Sequence, residues 1–298
     1  MSGPIDRSNL FLPQLRTNWS FKEARITEGA RLVLLGLFKK VVLANQLSLF
    51  VQTDYTVDIS SNNLWAVFFM QPLYLYLDFS GYTDIAIGLA KSFGISVPRN
   101  FNRPYLAENI SNFWKRFHIS LSSWFHDYVF IRTIFRYRKW RKQSTVIALF
   151  ITWILFGIWH GAGWNFMFLG LLQALAIYFE FLTKKWRAKV FLRIPGFWRR
   201  WLGRLVTYFF YSISLVFFFS PDLRSGFLFL INLPFSSMHL SVDIFQWPYI
   251  IIMVFIIFLI GLEIIQEDYN SLYKNIFQFL ENPKIKGCLL YTSDAADE

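Results

Sequence analysis

The chain has 298 residues, of which 55% are hydrophobic, 20% aromatic and only 16% charged. A soluble domain is usually about a quarter charged, so this composition argues against a soluble protein and indicates that much of the apolar surface faces lipid. The formal net charge of +11 could suggest a nucleic acid partner, but the basic residues form blocks beside apolar stretches, and the positive-inside rule of membrane proteins explains that pattern better.

The hydropathy pattern predicts an all-α polytopic membrane protein with about five or six spans. A helix needs roughly 20 apolar residues to cross a bilayer, and several stretches approach that length. Basic blocks at 136–142 and 184–189 flank a pair of spans over 145–182, so both ends of that pair should be cytoplasmic. The candidate spans lie near 29–51, 64–90, 145–161, 164–182, 203–220 and 248–266.

Both ends of the chain differ from its middle. Residues 288–298 depart from the preceding pattern and resemble the translation of a sequencing adapter, which should be left out of fold reasoning. On this interpretation Cys288, the only cysteine, is not native, and neither a disulfide nor a thiol nucleophile is expected. The first seven residues lack the pattern of a signal peptide, so we expect further spans upstream. We interpret residues 1–287 as part of one membrane domain whose N-terminal spans and native C-terminus are expected to be missing from this chain.

Asp78 and Asp84 lie six residues apart, close to two helical turns, so they could share one face of a helix. Pro72 and Gly81 are expected to interrupt that helix locally. Two interpretations are open for the carboxylates: a role in chemistry, or buried groups that fix helix packing through hydrogen bonds. The second is the more ordinary one.

A histidine at position 118 lies in an aromatic and basic segment that is too charged to span a membrane. The apolar residues of this segment follow i, i+3 and i+4 steps, as in an amphipathic helix that lies at the interface or re-enters the membrane, and we expect it on the cytoplasmic side. Lys115, Arg116 and Arg132 could hold the phosphates of an anionic ligand or, more ordinarily, contact anionic lipid headgroups. The apolar stripe consists of Phe113, Phe117, Leu121, Trp124 and Tyr128.

His160 is the sharpest candidate for chemistry, because ionisable side chains at membrane depth are costly and usually functional. If its helix begins near Ser144, sixteen residues (160 − 144) at about 1.5 Å each place the ring ~24 Å along a core roughly 30 Å thick. A neutral imidazole can take a proton from a hydroxyl, so general-base chemistry is available. Gly157, Gly161 and Gly163 would let a substrate or a neighbouring helix approach the backbone. The alternative is a histidine bonded to a carbonyl oxygen in a helix bundle.

With these residues in view, the run from Asp78 to Ala162 resembles the membrane-bound O-acyltransferase family in its bacterial polysaccharide branch. By this resemblance, His160 takes the position of the family's catalytic histidine and His118 that of its second functional histidine. Phe117 stands where tryptophan is usual and His126 where arginine is usual, which puts any role of position 126 in doubt. The matching strings are Asp78-Phe-Ser-Gly-Tyr82, Asn100-Phe-Asn-Arg-Pro-Tyr105, Phe113-Trp-Lys-Arg-Phe-His-Ile-Ser-Leu-Ser122 and Trp159-His-Gly161.

The resemblance implies a helical bundle around a tunnel through the bacterial cytoplasmic membrane. It also implies transfer of an acyl group, most simply acetyl, from acetyl-CoA or a carrier-protein thioester in the cytoplasm to a hydroxyl of a cell-envelope polysaccharide. An extracytoplasmic esterase-like partner protein is expected, and no bound cofactor or metal. Besides the two histidines, the expected substrate-binding residues are Asp78, Asn102, Lys115, Arg116 and Trp159.

Three alternatives stay open at this point. The first is transfer of D-alanine to teichoic acid from a carrier-protein thioester. The second is a transporter for an envelope lipid, because a buried histidine and carboxylates can relay protons, although the sequence holds no second copy of the Asp78 or Trp159-His160 pattern. The third is an inactive scaffold for an assembly complex.

Overall fold

The computed structural model describes residues 3–17, 20–48, 51, 64–191, 193–236 and 247–270, so the expected adapter sequence at 288–298 lies outside the described residues. The helices are α1 (Ser8–Leu15), α2 (Glu23–Leu37), α3 (Leu64–Ser92), α4 (Ile110–Trp114), α5 (Ile119–Phe125), α6 (Ile131–Arg136), α7 (Lys142–His160), α8 (Trp164–Phe191), α9 (Gly196–Phe219), α10 (Leu223–Asn232) and α11 (Trp247–Asp268). Residues from Trp247 onward form a separate compact unit, whose described part is α11 followed by residues 269–270.

The all-α membrane fold predicted from composition is confirmed. Within the described residues, α7, α8 and α9 are long and apolar enough to cross a membrane, and they coincide with three of the predicted spans. The predicted spans near 29–51 and 64–90 correspond to α2 with its π-helical continuation Phe38–Ala44, and to α3. That these helices and α11 also cross the membrane stays a prediction.

Two glycines on each helix bring α2 and α3 into very close contact. A Cβ atom on Gly36 would lie 2.5 Å from the carbonyl oxygen of Gly81, and one on Gly29 would lie 2.6 Å from that of Gly88. Both distances are far below van der Waals contact, so these positions admit only glycine without a shift of the backbone. Small residues at such crossings are a common basis of helix packing in membranes.

The two carboxylates of α3 bind lysines from the π-helical segment. Lys39 Nζ lies 2.7 Å from Asp84 Oδ2, and Lys40 pairs with Asp78. Both carboxylates therefore join α3 to the preceding helix, as the packing interpretation expects. The expected interruption at Pro72 and Gly81 is wrong, because α3 runs without a break from Leu64 to Ser92.

The helices α7 and α8 form an antiparallel hairpin that turns at residues 161–163. A Cβ atom on Gly157 would lie 2.1 Å from the carbonyl oxygen of Phe166, and one on Gly170 would lie 2.1 Å from that of Trp153. The glycine at 157 is therefore required by a neighbouring helix rather than by a substrate. The basic blocks at 136–142 and 184–189 lie at one end of this hairpin, and His160 lies at the other.

The segment 110–136 does not form the single amphipathic helix that its apolar stripe suggested. His118 has a left-handed backbone conformation, with φ 47° and ψ 51°, which an α-helix cannot contain. The chain therefore turns between α4 and α5. Phe113 and Leu121 are each 1% exposed, whereas Tyr128 is 49% exposed, so only the first part of the stripe faces the core.

Segment 110–136 has the shape of a re-entrant hairpin with His118 at its tip. In its first limb, the backbone nitrogen of Ile110 donates to Glu180 near the basic end of α8, and the indole nitrogen of Trp114 donates to Gln173, two turns nearer the turn of the α7–α8 hairpin. Its second limb, from His118 to residue 136, runs antiparallel to α7 and packs against it. This limb ends in the short turn that leads into α7. The first limb thus begins, and the second limb ends, at the basic end of the spanning helices.

Candidate active site

His118 and His160 line a single cavity of about 460 Å³. Its walls come from α3, the re-entrant hairpin, α7, α8 and α9, all within the first compact unit. Histidines that are 42 residues apart in sequence (160 − 118) meet here because the hairpin tip and the end of α7 lie at the same level. That the ends of the His118 segment lie on the cytoplasmic side stays a prediction, and its tip lies at the level of His160, at the opposite end of α7 from the basic blocks.

His160 is the last residue of α7 and is held by aromatic rings. The ring centroids of Phe156, Trp159 and Phe218 lie 5.1, 4.9 and 5.3 Å from that of its imidazole, each at a steep interplanar angle. Within the described residues the imidazole makes no hydrogen bond, so the carbonyl-bonded histidine considered as an alternative is not seen. Its ring nitrogens are available to a ligand.

His118 is 3% exposed and also packs against aromatic rings. The ring of Phe79 lies 4.6 Å away and that of Trp159 6.1 Å away, so Trp159 contacts both histidines. The Nδ1 atom of His118 is buried and has no hydrogen-bond partner among the described residues. An unpaired buried polar atom is costly, which suggests that this nitrogen has a partner in a state of the protein that holds a ligand.

Asn100 fixes the hairpin tip, a role that the sequence did not reveal. It is fully buried, and its backbone oxygen accepts a hydrogen bond from Ile119 N at 3.0 Å. Its side-chain oxygen accepts from both the backbone nitrogen and the hydroxyl of Ser120, at 3.2 and 2.5 Å. A β-bridge between Phe101 and Phe117 continues this contact on the other side of His118. The left-handed turn is thus held from both sides.

The structure places two of the expected substrate-binding residues at the cavity and three outside its lining. Asp78 and Trp159 line it, and Asp78 does so while paired with Lys40. Asn102 and Lys115 are exposed elsewhere, and Arg116 Nε donates to Asn112 Oδ1 at 2.7 Å. That Asn102, Lys115 and Arg116 contact a substrate stays a prediction.

Gln173 and Tyr211 also line the cavity, and sequence reasoning did not single them out. Gln173 accepts a hydrogen bond from Trp114 Nε1 at 3.0 Å and donates to Ser214 Oγ at 2.8 Å, which ties the re-entrant hairpin to α8 and α9. Gln173 could have been identified as a polar side chain inside an apolar span, because polar side chains at membrane depth are rare and usually functional.

This arrangement suits proton transfer in a largely apolar cavity. Two imidazoles without hydrogen-bond partners in the described part of the chain face a cavity whose other walls are mainly aromatic and aliphatic. A neutral imidazole is both an acceptor and, at its other nitrogen, a donor. In the same part of the chain no group of three or more histidine, cysteine, aspartate or glutamate side chains could hold a metal ion.

Comparison with known proteins identifies the family of this chain. The chain is 33% identical to the peptidoglycan O-acetyltransferase of Helicobacter pylori over 76% of its length, and 30% identical to the teichoic acid D-alanyltransferase of Bacillus subtilis over 73%. It is 31% identical to the probable alginate O-acetylase AlgI of Pseudomonas syringae pv. tomato over 66%. The alignments cover 42%, 57% and 40% of those relatives, so the chain spans about half the length of the curated proteins it matches. The model of the membrane-bound O-acyltransferase family matches residues 2–221. The chain therefore belongs to the membrane-bound O-acyltransferase family.

Proposed function

We propose that this protein transfers an acyl group from a thioester donor to a hydroxyl group of a cell-envelope polysaccharide, in the bacterial cytoplasmic membrane. The observation that carries the proposal is the meeting of His118 and His160 in one largely apolar cavity. The names of the relatives add support, since they describe acyl transfer to peptidoglycan, alginate or teichoic acid.

His160 is the general base of the proposed reaction. A ring nitrogen of His160 takes the proton of the acceptor hydroxyl while the hydroxyl oxygen attacks the carbonyl carbon of the thioester. The bond between carbon and sulfur then breaks, and the leaving thiolate takes the proton back from the imidazolium. The products are an ester and a free thiol, and the histidine returns to its neutral form.

His118 binds and orients the donor in this scheme. Its backbone is fixed by Asn100 and its ring by Phe79 and Trp159, so its unpaired nitrogen is held in one place. Fixed polar groups of this kind accelerate a reaction because they need not reorganise when charge develops. The aromatic walls offer water few hydrogen bonds, which disfavours hydrolysis of the thioester.

The acyl donor is proposed to be acetyl-CoA, arriving from the end of the bundle that carries the basic blocks, with an extracytoplasmic esterase-like protein as a partner. The second candidate is D-alanyl transfer from a carrier-protein thioester. One of the relatives reported above carries that activity in its name and aligns with 73% of this chain. The two reactions use the same cavity chemistry and differ in the acyl group.

The test is the amount of ester-linked acetate and D-alanine that mild base releases from envelope polysaccharide of cells expressing the protein. The variants are His160→Ala and, as a matched control, His126→Ala, whose ring is largely exposed and bonds Asp127 outside the cavity. We expect His160→Ala to abolish one of the two esters at equal membrane abundance while His126→Ala retains it. Equal ester in all strains would remove His160 from the mechanism.

A further inference from the structure

Tyr211 is a buried residue whose hydroxyl the proposed reaction has not yet used. The residue is 2% exposed, lies on α9 and lines the cavity. Its hydroxyl makes no hydrogen bond with any of the residues that the structure describes. A hydroxyl at the wall of a largely apolar cavity gains free energy when a ligand in that cavity accepts its hydrogen bond.

Two polar neighbours of Tyr211 differ from it, because each is hydrogen-bonded to another part of the protein. The hydroxyl of Tyr208, one turn earlier on α9, donates to the carbonyl oxygen of Phe69 at 2.6 Å. The indole of Trp114, whose ring lies 6.3 Å from that of Tyr211, donates to Gln173. A molecule that enters the cavity can supply the acceptor that Tyr211 lacks among the described residues.

The position of Tyr211 indicates which molecule that is. Tyr211, Leu215 and Phe218 lie at i, i+4 and i+7 on the face of α9 that lines the cavity, and Phe218 contacts His160. Seven residues at about 1.5 Å each put Tyr211 roughly 10 Å from that level along the helix. Long side chains in a helix point towards its N-terminus, so the hydroxyl extends further from His160.

The end of the cavity near Tyr211 is the end that faces the basic blocks. Asn165, at the start of α8, donates to the carbonyl oxygens of Phe217 and Ser220, so the C-terminal end of α9 lies beside the turn of the α7–α8 hairpin. The N-terminal end of α9 therefore lies with the basic residues at 184–189. The proposed donor arrives from this side, and its arm must pass Tyr211 for its thioester to reach His160.

We propose that Tyr211 is a donor-binding residue whose hydroxyl donates a hydrogen bond to a carbonyl oxygen on the arm of the thioester donor. The inference rests on the proposed function. Coenzyme A and a carrier protein both present a thioester on an arm that contains amide carbonyls, so the same hydroxyl serves either source. In this proposal the hydroxyl of Tyr211 contacts the donor and does not contact the acceptor.

Two tyrosine-to-phenylalanine variants separate this role from a structural one. Tyr211→Phe removes a hydroxyl that bonds no described residue, so it should leave the melting temperature unchanged or raise it. Tyr208→Phe removes one that bonds a backbone carbonyl, so it should lower the melting temperature by roughly 2–4 °C and leave donor use unchanged. Thiol release is measured in membrane vesicles that contain the cell's own envelope polysaccharide, with acetyl-CoA in one arm and a D-alanyl carrier-protein thioester in the other.

With the donor that the wild type uses, Tyr211→Phe should raise the donor concentration for half-maximal rate roughly 3- to 30-fold. An unchanged value with active wild type overturns the role of Tyr211 and leaves the proposed function intact. A loss of melting temperature equal to that of Tyr208→Phe overturns it as well. If the wild type releases thiol from neither donor, the proposed function fails. The role of Tyr211 is then tested by equilibrium binding of acetyl-CoA to purified protein. Weaker binding by Tyr211→Phe than by wild type supports the contact, and equal binding or no binding by either protein overturns it.

Discussion

Replacing Gly157 with alanine should separate α7 from α8 next to His160. The new Cβ atom would lie 2.1 Å from the carbonyl oxygen of Phe166, a backbone atom that cannot rotate away. Carbon and oxygen atoms in contact lie about 3.3–3.6 Å apart, so the two helices must part by roughly 1 Å at this level. Overpacking of this kind costs about 1–3 kcal/mol.

The shift also moves a reacting group. His160 lies three residues after Gly157 on the same helix, while His118 stays with the re-entrant hairpin. A displacement of about 1 Å between reacting groups can reduce a rate by about 100-fold. We therefore expect Gly157→Ala to lose activity by a larger factor than its stability loss alone would produce.

The assay is thermal denaturation of purified protein in detergent together with acyl transfer in vesicles. We expect a fall in melting temperature of roughly 2–4 °C for each kcal/mol of lost stability. Gly196→Ala is the matched control, because a Cβ atom there meets no atom within 4 Å. If Gly157→Ala matched the control in both melting temperature and rate, the close crossing of α7 and α8 would be refuted.

Three further changes test contacts around the site. Glu180→Ala removes the acceptor of three hydrogen bonds at the start of α4 and should lower stability by about 2–4 kcal/mol, and Glu180→Gln should lower it less. A melting temperature of Glu180→Ala equal to that of wild type would contradict a stabilising role of these hydrogen bonds. Lys39→Met leaves Asp84 unpaired and should cost about 1–3 kcal/mol, most of which the double variant Lys39→Met with Asp84→Asn should restore. If the double variant did not recover stability, the ion pair would not be what stabilises the contact between the π-helical segment and α3. Gln173→Leu leaves the Trp114 indole without its acceptor and should cost about 1–3 kcal/mol; an unchanged melting temperature would count against the tie between the hairpin and α8.

Much of the membrane fold follows from the sequence. Composition and hydropathy place α7, α8 and α9. The orientation of the α7–α8 hairpin, which the basic blocks at 136–142 and 184–189 indicate, stays a prediction. These features depend on local composition, which a single sequence contains in full. The two histidines were found by their setting and by resemblance, and the structure brings them to one cavity.

The re-entrant hairpin could not be predicted from periodicity. The apolar stripe of Phe113, Phe117 and Leu121 continues across the turn because both limbs face the same core, so the pattern conceals the reversal at His118. What fixes the turn is the pairing of Asn100 with Ser120, a contact between residues 20 positions apart. Only tertiary packing specifies such a contact.

Tyr211 could not be identified from the sequence for a similar reason. It lies in an aromatic run on α9, where one more tyrosine does not stand out. Its interest depends on its place in the cavity wall and on the lack of a hydrogen-bond partner among the described residues. Lack of a hydrogen bond is a property of the folded structure. The sequence alone cannot show it.

Thiol release from the acyl donor tests the central claim most directly, because each transfer must free one thiol. Vesicles with wild type, His160→Gln and the control His126→Gln are compared at equal protein abundance. Since a general base contributes about 10²–10⁴-fold, the rate should fall at least 100-fold with His160→Gln and stay unchanged with His126→Gln. A rate for His160→Gln within a few-fold of wild type would contradict the account, because no proton transfer at His160 could then be part of the reaction.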